Sequence, residues 1–187
     1  MIPKAYLAGP DVFLPNAVQH AARKVEICQR YGLKGLPPLN EDVEPKPQAG
    51  TESWRQIYGK DIALMESCDL IIANLTPFGG TSADAGTLIE VGWFLGREKP
   101  VFGYSNSAVN FQERMVAYRQ LTGDIPKDIA IEGFHLPDNL MIVGAVEDTG
   151  CPIVLPKDSM VRGYDALDVF EACVAQAAEL MLRSAGR

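Results

Sequence analysis

Residues 69–75, DLIIANL, form a continuous apolar run closed at either end by polar or turn-forming residues. Such a run is short for a globular helix and too uniformly apolar for a strand with one wet face, so it reads as a strand buried on both sides. A doubly buried strand constrains the chain more than any other feature, because it implies a parallel sheet with helices over both faces. The neighbouring segments agree. KAYLAG (4–9) and PVFGY (100–104) read as further short strands, and LKGLPPL (33–39) as a weaker one. Asn16 is placed to cap a helix through about Tyr31 with Gly32 just past its end, and Thr51 to cap a second helix to about Ser67. A third helical run extends from Ala85 to Gly96.

After Tyr104, NFQERMVAYRQL and LPDNLMIVGAV read as short helices, CPIVLP as a last strand, and DALDVFEACVAQAAELMLRS as a long amphipathic helix. The expected fold is α/β: a doubly wound, mostly parallel five-stranded sheet with helices on both faces, flavodoxin-like or Rossmann-like. Neither a repeat nor a low-complexity linker divides the chain, so residues 1–187 are expected to form a single domain.

Charge and residue usage narrow the function. A net charge of −7 argues against nucleic acid or an anionic membrane as the main partner and leaves small neutral or cationic ligands. MIPKAYLAGP lacks the basic start and long apolar stretch of a signal peptide, and no apolar run reaches membrane-spanning length. Cys28, Cys68, Cys151 and Cys173 are widely spaced, which fits reduced thiols in a cytoplasmic protein better than a disulfide framework. His20 and His135 stand alone, giving a zinc site or a Ser-His triad little to draw on.

Within TSADAGTLIEVGWFLG (81–96) the helical run carries one charge, Glu90, among Leu88, Ile89, Val91, Trp93, Phe94 and Leu95. A carboxylate in an apolar wall is costly unless partnered or used, and its place in the early turns puts it near the positive end of the helix dipole, which favours the ionised form. The plain alternative is a solvent-facing helix position. Asp84 reads equally as an N-cap, Asp61 as an exposed helix residue, Tyr6 as core and Phe13 as a loop anchor. Gly86, Gly92 and Gly96 each weaken the helix relative to Ala, and their number implies close packing against the sheet or a ligand. The loop GGTSADAGT lacks both glycine-rich phosphate signatures, and its Asp would repel a phosphate.

Taken together, YLAGPDVFLPNA, KDIALMESCDLIIANLTPFGG, SADAGTLIEVGWFLGREKPVFGY and EGFHLPDNLMI resemble, in this order, the nucleoside 2-deoxyribosyltransferase family. The likeness spans most of 4–104 plus 132–142 and is strongest in D-x-G-T-x-x-E-x-G, Asp84 to Gly92. It implies a doubly wound α/β enzyme, without metal or organic cofactor, that exchanges the base of a 2′-deoxynucleoside in nucleotide salvage. Its partners are then deoxynucleosides and free nucleobases.

The resemblance also implies roles. Glu90 takes the nucleophile position and Tyr6 that of the tyrosine orienting it. Asp61 and Asp84 match the aspartates that hold the deoxyribose hydroxyls and serve proton transfer; Asp61 is assigned as proton donor and Asp84 as sugar clamp. Asn139, with Met141 beside it, matches an asparagine that a neighbouring subunit lends to the 5′-hydroxyl, which implies a homo-oligomer with shared active sites. Phe13 falls where an aromatic lines the base pocket, Gly9 lies in the same substrate-binding loop, and Asp42 stands in the 40–52 loop as the base-contacting residue. This loop is longer than in short bacterial members, and 105–131 departs from the family pattern.

Two other classes are compatible with parts of the pattern. One is an N-glycoside hydrolase acting on nucleoside 5′-monophosphates; it needs a cationic phosphate loop, and AGPDVFLPN carries an acid and no base. The other is a non-catalytic nucleoside-binding module on the same fold.

Overall fold

Side-chain alternation along the short apolar runs decides how this protein is layered. The computed structural model describes residues 2–39 and 53–185. Strands β1 (Lys4–Ala8), β2 (Lys34–Leu36), β3 (Leu70–Asn74) and β4 (Val101–Tyr104) pair in parallel in the order β2-β1-β3-β4. The helices are α1 (Ala17–Arg30), α2 (Ser53–Glu66), α3 (Ala85–Leu95), α4 (Phe111–Thr122), α5 (Leu140–Glu147) and α6 (Asp168–Ala185). One side of the sheet presents Ala5, Leu7, Leu70, Ile72, Phe102 and Tyr104 to residues of α1 and α6 such as Cys28, Phe170 and Cys173. The other presents Tyr6, Ala8, Ile71, Ala73 and Val101 to Met65 of α2, Phe94 of α3 and Val146 of α5. The doubly wound reading therefore holds, and every residue of β3 is buried as its composition requires.

The strand order is that of a flavodoxin-like sheet, in which winding reverses between β1 and β3 and opens a crevice at their carboxyl ends. Tyr6 lies opposite Ile71 and Ala8 opposite Ala73 at that point.

Two expectations are corrected. The sheet has four strands among the described residues, not five, because CPIVLP contributes only a parallel bridge between Val154 and Tyr104. Val154 donates to Gly103 O at 2.9 Å and accepts from Ser105 N at 2.9 Å. Pro152 and Pro156 flank this residue by two positions on each side, and without N–H groups they cannot carry the ladder further.

The glycines of α3 do not serve close packing against the sheet. A Cβ at Gly92 would meet nothing within 4 Å, one at Gly96 only its own helix, and one at Gly86 only the Asp84 carboxylate. Ile89 is 74% exposed, so the apolar helix is buried on one side only. No helix among the described residues is long and apolar enough to cross a membrane.

Candidate active site

The crevice at the strand ends is built first by backbone. Gly9 has φ of +151°, and a Cβ there would lie 2.6 Å from the Cβ of Asn74. Glycine therefore lets the end of β1 pass directly beside the end of β3 before the chain turns into a single 3₁₀ turn, Pro10–Phe13.

A buried polar cluster fixes that turn. Asn74 Nδ2 donates to Asp11 Oδ1 at 2.7 Å, while Asn74 Oδ1 accepts from Thr76 N at 3.1 Å and Thr76 Oγ1 at 2.6 Å. Lys24 of α1 donates to Asp11 Oδ2 at 2.5 Å and to Tyr104 Oη at 3.3 Å, with its ammonium 4.6 Å from the Phe170 ring centre. Breaking a buried pair of this kind costs about 3–5 kcal/mol. Sequence motifs do not join Lys24 to Asp11. The available signal was the phase of α1: His20 and Lys24 share its buried side with Ala21, Ile27 and Cys28.

The opposite wall comes from α3. Asp84 caps the helix, accepting from Thr87 N at 3.0 Å and Thr87 Oγ1 at 3.1 Å, so the expected capping role is real. It also lines a cavity of about 500 Å³ together with Gly86, Thr87 and Glu90, residues that helical spacing puts on one side. The loop before it is held by Arg114 of α4, which donates to Thr81 O at 2.7 Å and to Pro137 O at 2.8 Å. Asp138, 3.5 Å from that guanidinium, accepts from Ser82 Oγ at 2.6 Å and Ala83 N at 3.1 Å.

A third wall is α2, whose Ile57 and Asp61 face the cavity one turn apart. Phe13 and Gly9 line it from the β1 side. Five of the expected residues thus meet at one cavity: Glu90, Asp61, Asp84, Phe13 and Gly9.

Tyr6 reaches the same place from beneath, its hydroxyl donating to Glu90 Oε1 at 2.5 Å across 84 residues of sequence. Its own pKa is driven far above the ordinary range by burial and then by the Glu90 charge, so it acts as a permanent donor. Glu90 is pushed up to about 7, first by burial, with Asp61 and Asp84 adding in the same direction and the Tyr6 hydrogen bond opposing them. The expectation that the helix dipole keeps Glu90 readily ionised is therefore overridden by desolvation and two nearby acids. A carboxylate poised at neutral pH, with one oxygen held by a buried donor, can act as nucleophile or base.

Asn139 and Met141 do not line this cavity. Asn139 caps α5, accepting from Met141 N at 3.0 Å and donating to the Glu132 carboxylate, and Met141 is 72% exposed. Asp42 lies outside the described residues.

The profile of the family described as nucleoside 2-deoxyribosyltransferase matches residues 5–141 of this chain. An uncharacterised protein of Schizosaccharomyces pombe is 35% identical over 130 residues, which is 67% of this chain; the chain spans 61% of that protein's length. Among solved structures, the 2-desoxiribosyltransferase from Leishmania mexicana aligns with a TM-score of 0.64 at 25% identity, covering 95% of this chain and 97% of that one. A conserved protein from Enterococcus faecalis V583 shares the fold, with a TM-score of 0.57 at 20% identity over 95% of this chain and 99% of that one.

Proposed function

The chain belongs to the nucleoside 2-deoxyribosyltransferase family, and from that premise we propose that it exchanges the base of 2′-deoxynucleosides through a covalent deoxyribosyl ester on Glu90. The observation that carries this reading is the Tyr6–Glu90 hydrogen bond at the floor of a cavity flanked by Asp61 and Asp84. A carboxylate oxygen of Glu90 attacks C1′ as the C–N bond breaks, and the departing base takes the bonding pair and a proton from Asp61. The sugar is left as an ester. A second base then attacks C1′ from the face the first one left, the ester bond breaks back to carboxylate, and the proton returns to Asp61. Two inversions give net retention, as in retaining glycoside hydrolysis. Water in place of the second base makes hydrolysis the side reaction, and apolar walls limit it. Asp84 clamps the sugar hydroxyls, and no metal or organic cofactor enters the scheme.

The lining residues support a neutral 5′-hydroxyl over a phosphate. Among the described residues, those lining the cavity include three carboxylates and no Lys or Arg, and the nearby Lys24 is engaged by Asp11. The deciding experiment offers a panel of 2′-deoxynucleosides and their 5′-monophosphates with a free acceptor base. Exchange with nucleosides alone is expected. Free base released only from monophosphates would establish the hydrolase, and binding without turnover the non-catalytic module.

In this reading residues 1–187 act as one domain within a homo-oligomer, and Asn139 reaches the 5′-hydroxyl in a neighbouring subunit's site. Its position outside its own cavity, beside the exposed Leu140 and Met141, is what supports that arrangement. Mixing inactive Glu90→Ala with inactive Asn139→Ala under subunit exchange should restore activity, because some mixed sites then carry both wild-type residues. Persisting inactivity after exchange is verified by native mass spectrometry would refute it. The chemistry is that of deoxynucleoside salvage, and four free buried cysteines accord with a cytoplasmic setting.

A further inference from the structure

The family match ends at residue 141, yet a segment beyond it packs against the loop that follows β3. Asn106, fully buried just past β4, holds that segment by its backbone groups: Asn106 Nδ2 donates to Gly163 O at 2.9 Å and Ala166 O at 3.3 Å, and the main-chain O of Asn106 accepts from Arg162 N at 2.7 Å. Arg162 braces the same turn through Asp158 at 2.9 Å and Asp168 at 3.0 Å. Between these anchors stands Tyr164.

The Tyr164 hydroxyl donates to Pro77 O at 2.5 Å, in the loop that follows β3. Its ring meets Phe78 edge-on, with centroids 6.1 Å apart and planes at 88°. Phe78 in turn lies face to face with Phe13, at 5.5 Å and 11°. Phe13 lines the cavity while remaining 67% exposed. Among the described residues Phe78 is the ring on which Phe13 stacks, and that neighbour sets its ring plane. Three loops thus share one series of rings, running from the C-terminal segment to the cavity wall.

We infer that Tyr164 is a positioning residue for base recognition: it holds Phe78, and through it the Phe13 ring, as a flat wall against which a planar heterocycle stacks. This rests on the nucleoside reading of the cavity and extends it to a residue outside the family match. A two-ring purine overlaps more of that wall than a one-ring pyrimidine, so Tyr164 contributes more to purine binding. The proton-transfer and ester-forming groups lie on α2 and α3, whereas Tyr164 belongs to neither helix and does not line the cavity.

The test compares wild type, Tyr164→Phe and Tyr164→Ala by equilibrium binding of free adenine and free cytosine, and by KM and kcat for each base as acceptor. For Tyr164→Ala an adenine Kd and KM about tenfold higher are expected, the scale of losing an aromatic contact and its support, with a smaller rise for cytosine and the loss falling on KM rather than kcat. Tyr164→Phe keeps the edge-on ring and should recover much of the affinity. A merely structural role would lower the melting temperature and leave the adenine-to-cytosine ratio untouched. Unchanged adenine binding and an unchanged ratio in Tyr164→Ala, with exchange intact, overturn the inference and leave the proposed function standing. Failure of the wild type to bind either base overturns both.

Discussion

Replacing Glu90 with Gln is expected to abolish base exchange, by on the order of 10⁴-fold or more, the scale of deleting a covalent nucleophile. The amide keeps the shape of the side chain and can still accept from Tyr6, but it cannot form the glycosyl ester. Exchange is followed by chromatography of the product nucleoside, and near-normal exchange by Glu90→Ala would remove the mechanism. In the wild type, a slow substrate should leave one deoxyribosyl unit on the peptide containing Glu90. The pH profile reports the same group. Because burial raises Glu90 to about 7, kcat/KM should climb as pH rises through that value, and Tyr6→Phe, lacking the hydrogen bond that opposes burial, should move the rise to higher pH. The sign for stability is opposite. A carboxyl whose folded-state pKa exceeds its unfolded value favours the fold at low pH and loses that contribution as pH rises through the folded pKa. Glu90→Gln should therefore melt progressively above wild type as pH is raised from about 4.5 to about 7, with a constant gap beyond. The site stores this destabilisation as a condition of its chemistry.

Asp61→Asn and Asp84→Asn should each lower turnover by at least about 100-fold, the scale of losing a general acid or a well-placed substrate contact. The two losses differ in kind. Asn is as good an N-cap as Asp, so Asp84→Asn should keep the start of α3 and lose only the anionic partner proposed for the sugar hydroxyls. Its defect should be indifferent to the base. Asp61→Asn removes the proposed proton donor, so a base that departs readily without protonation should recover a larger share of the rate than a poor leaving group does. Single-turnover kinetics with a matched pair of donors measures this. Equal losses with both would reassign Asp61 to binding.

The fold was legible where local pattern and tertiary role coincide. The run 69–75 is apolar on both sides because β3 is covered on both sides, and Gly32 ends α1 with φ of +76° at the place where only a small residue is comfortable. CPIVLP reads as a fifth strand because its hydrophobicity is strand-like, while its two prolines withhold the donors that a ladder needs. At the site, the unusual surroundings of Glu90 were visible in one helix. Its partner Tyr6 was not, since a tyrosine in a strand looks the same whether its hydroxyl meets a carboxylate or a carbonyl; only the family resemblance joined them. The Asp11–Lys24 pair was hidden for a related reason. Each residue alone resembles an ordinary surface charge, and their burial follows from the packing of α1 against the sheet.

The bridge at Val154 also bears on how copies of the chain can come together. An open parallel sheet presents a row of unpaired backbone groups at each border, a ready template for another chain. Here one border, β4, is covered by the proline-flanked bridge, and the other, β2, is three residues long and runs directly into Pro37 and Pro38. Among the described residues neither border offers a long continuous row of donors and acceptors, which disfavours edge-to-edge growth. Exposed apolar side chains stand elsewhere: Ile89, Met141, Trp54 and Tyr58 project from α3, α5 and α2. The homo-oligomer proposed above is then expected to close through these helix surfaces rather than through an extended shared sheet.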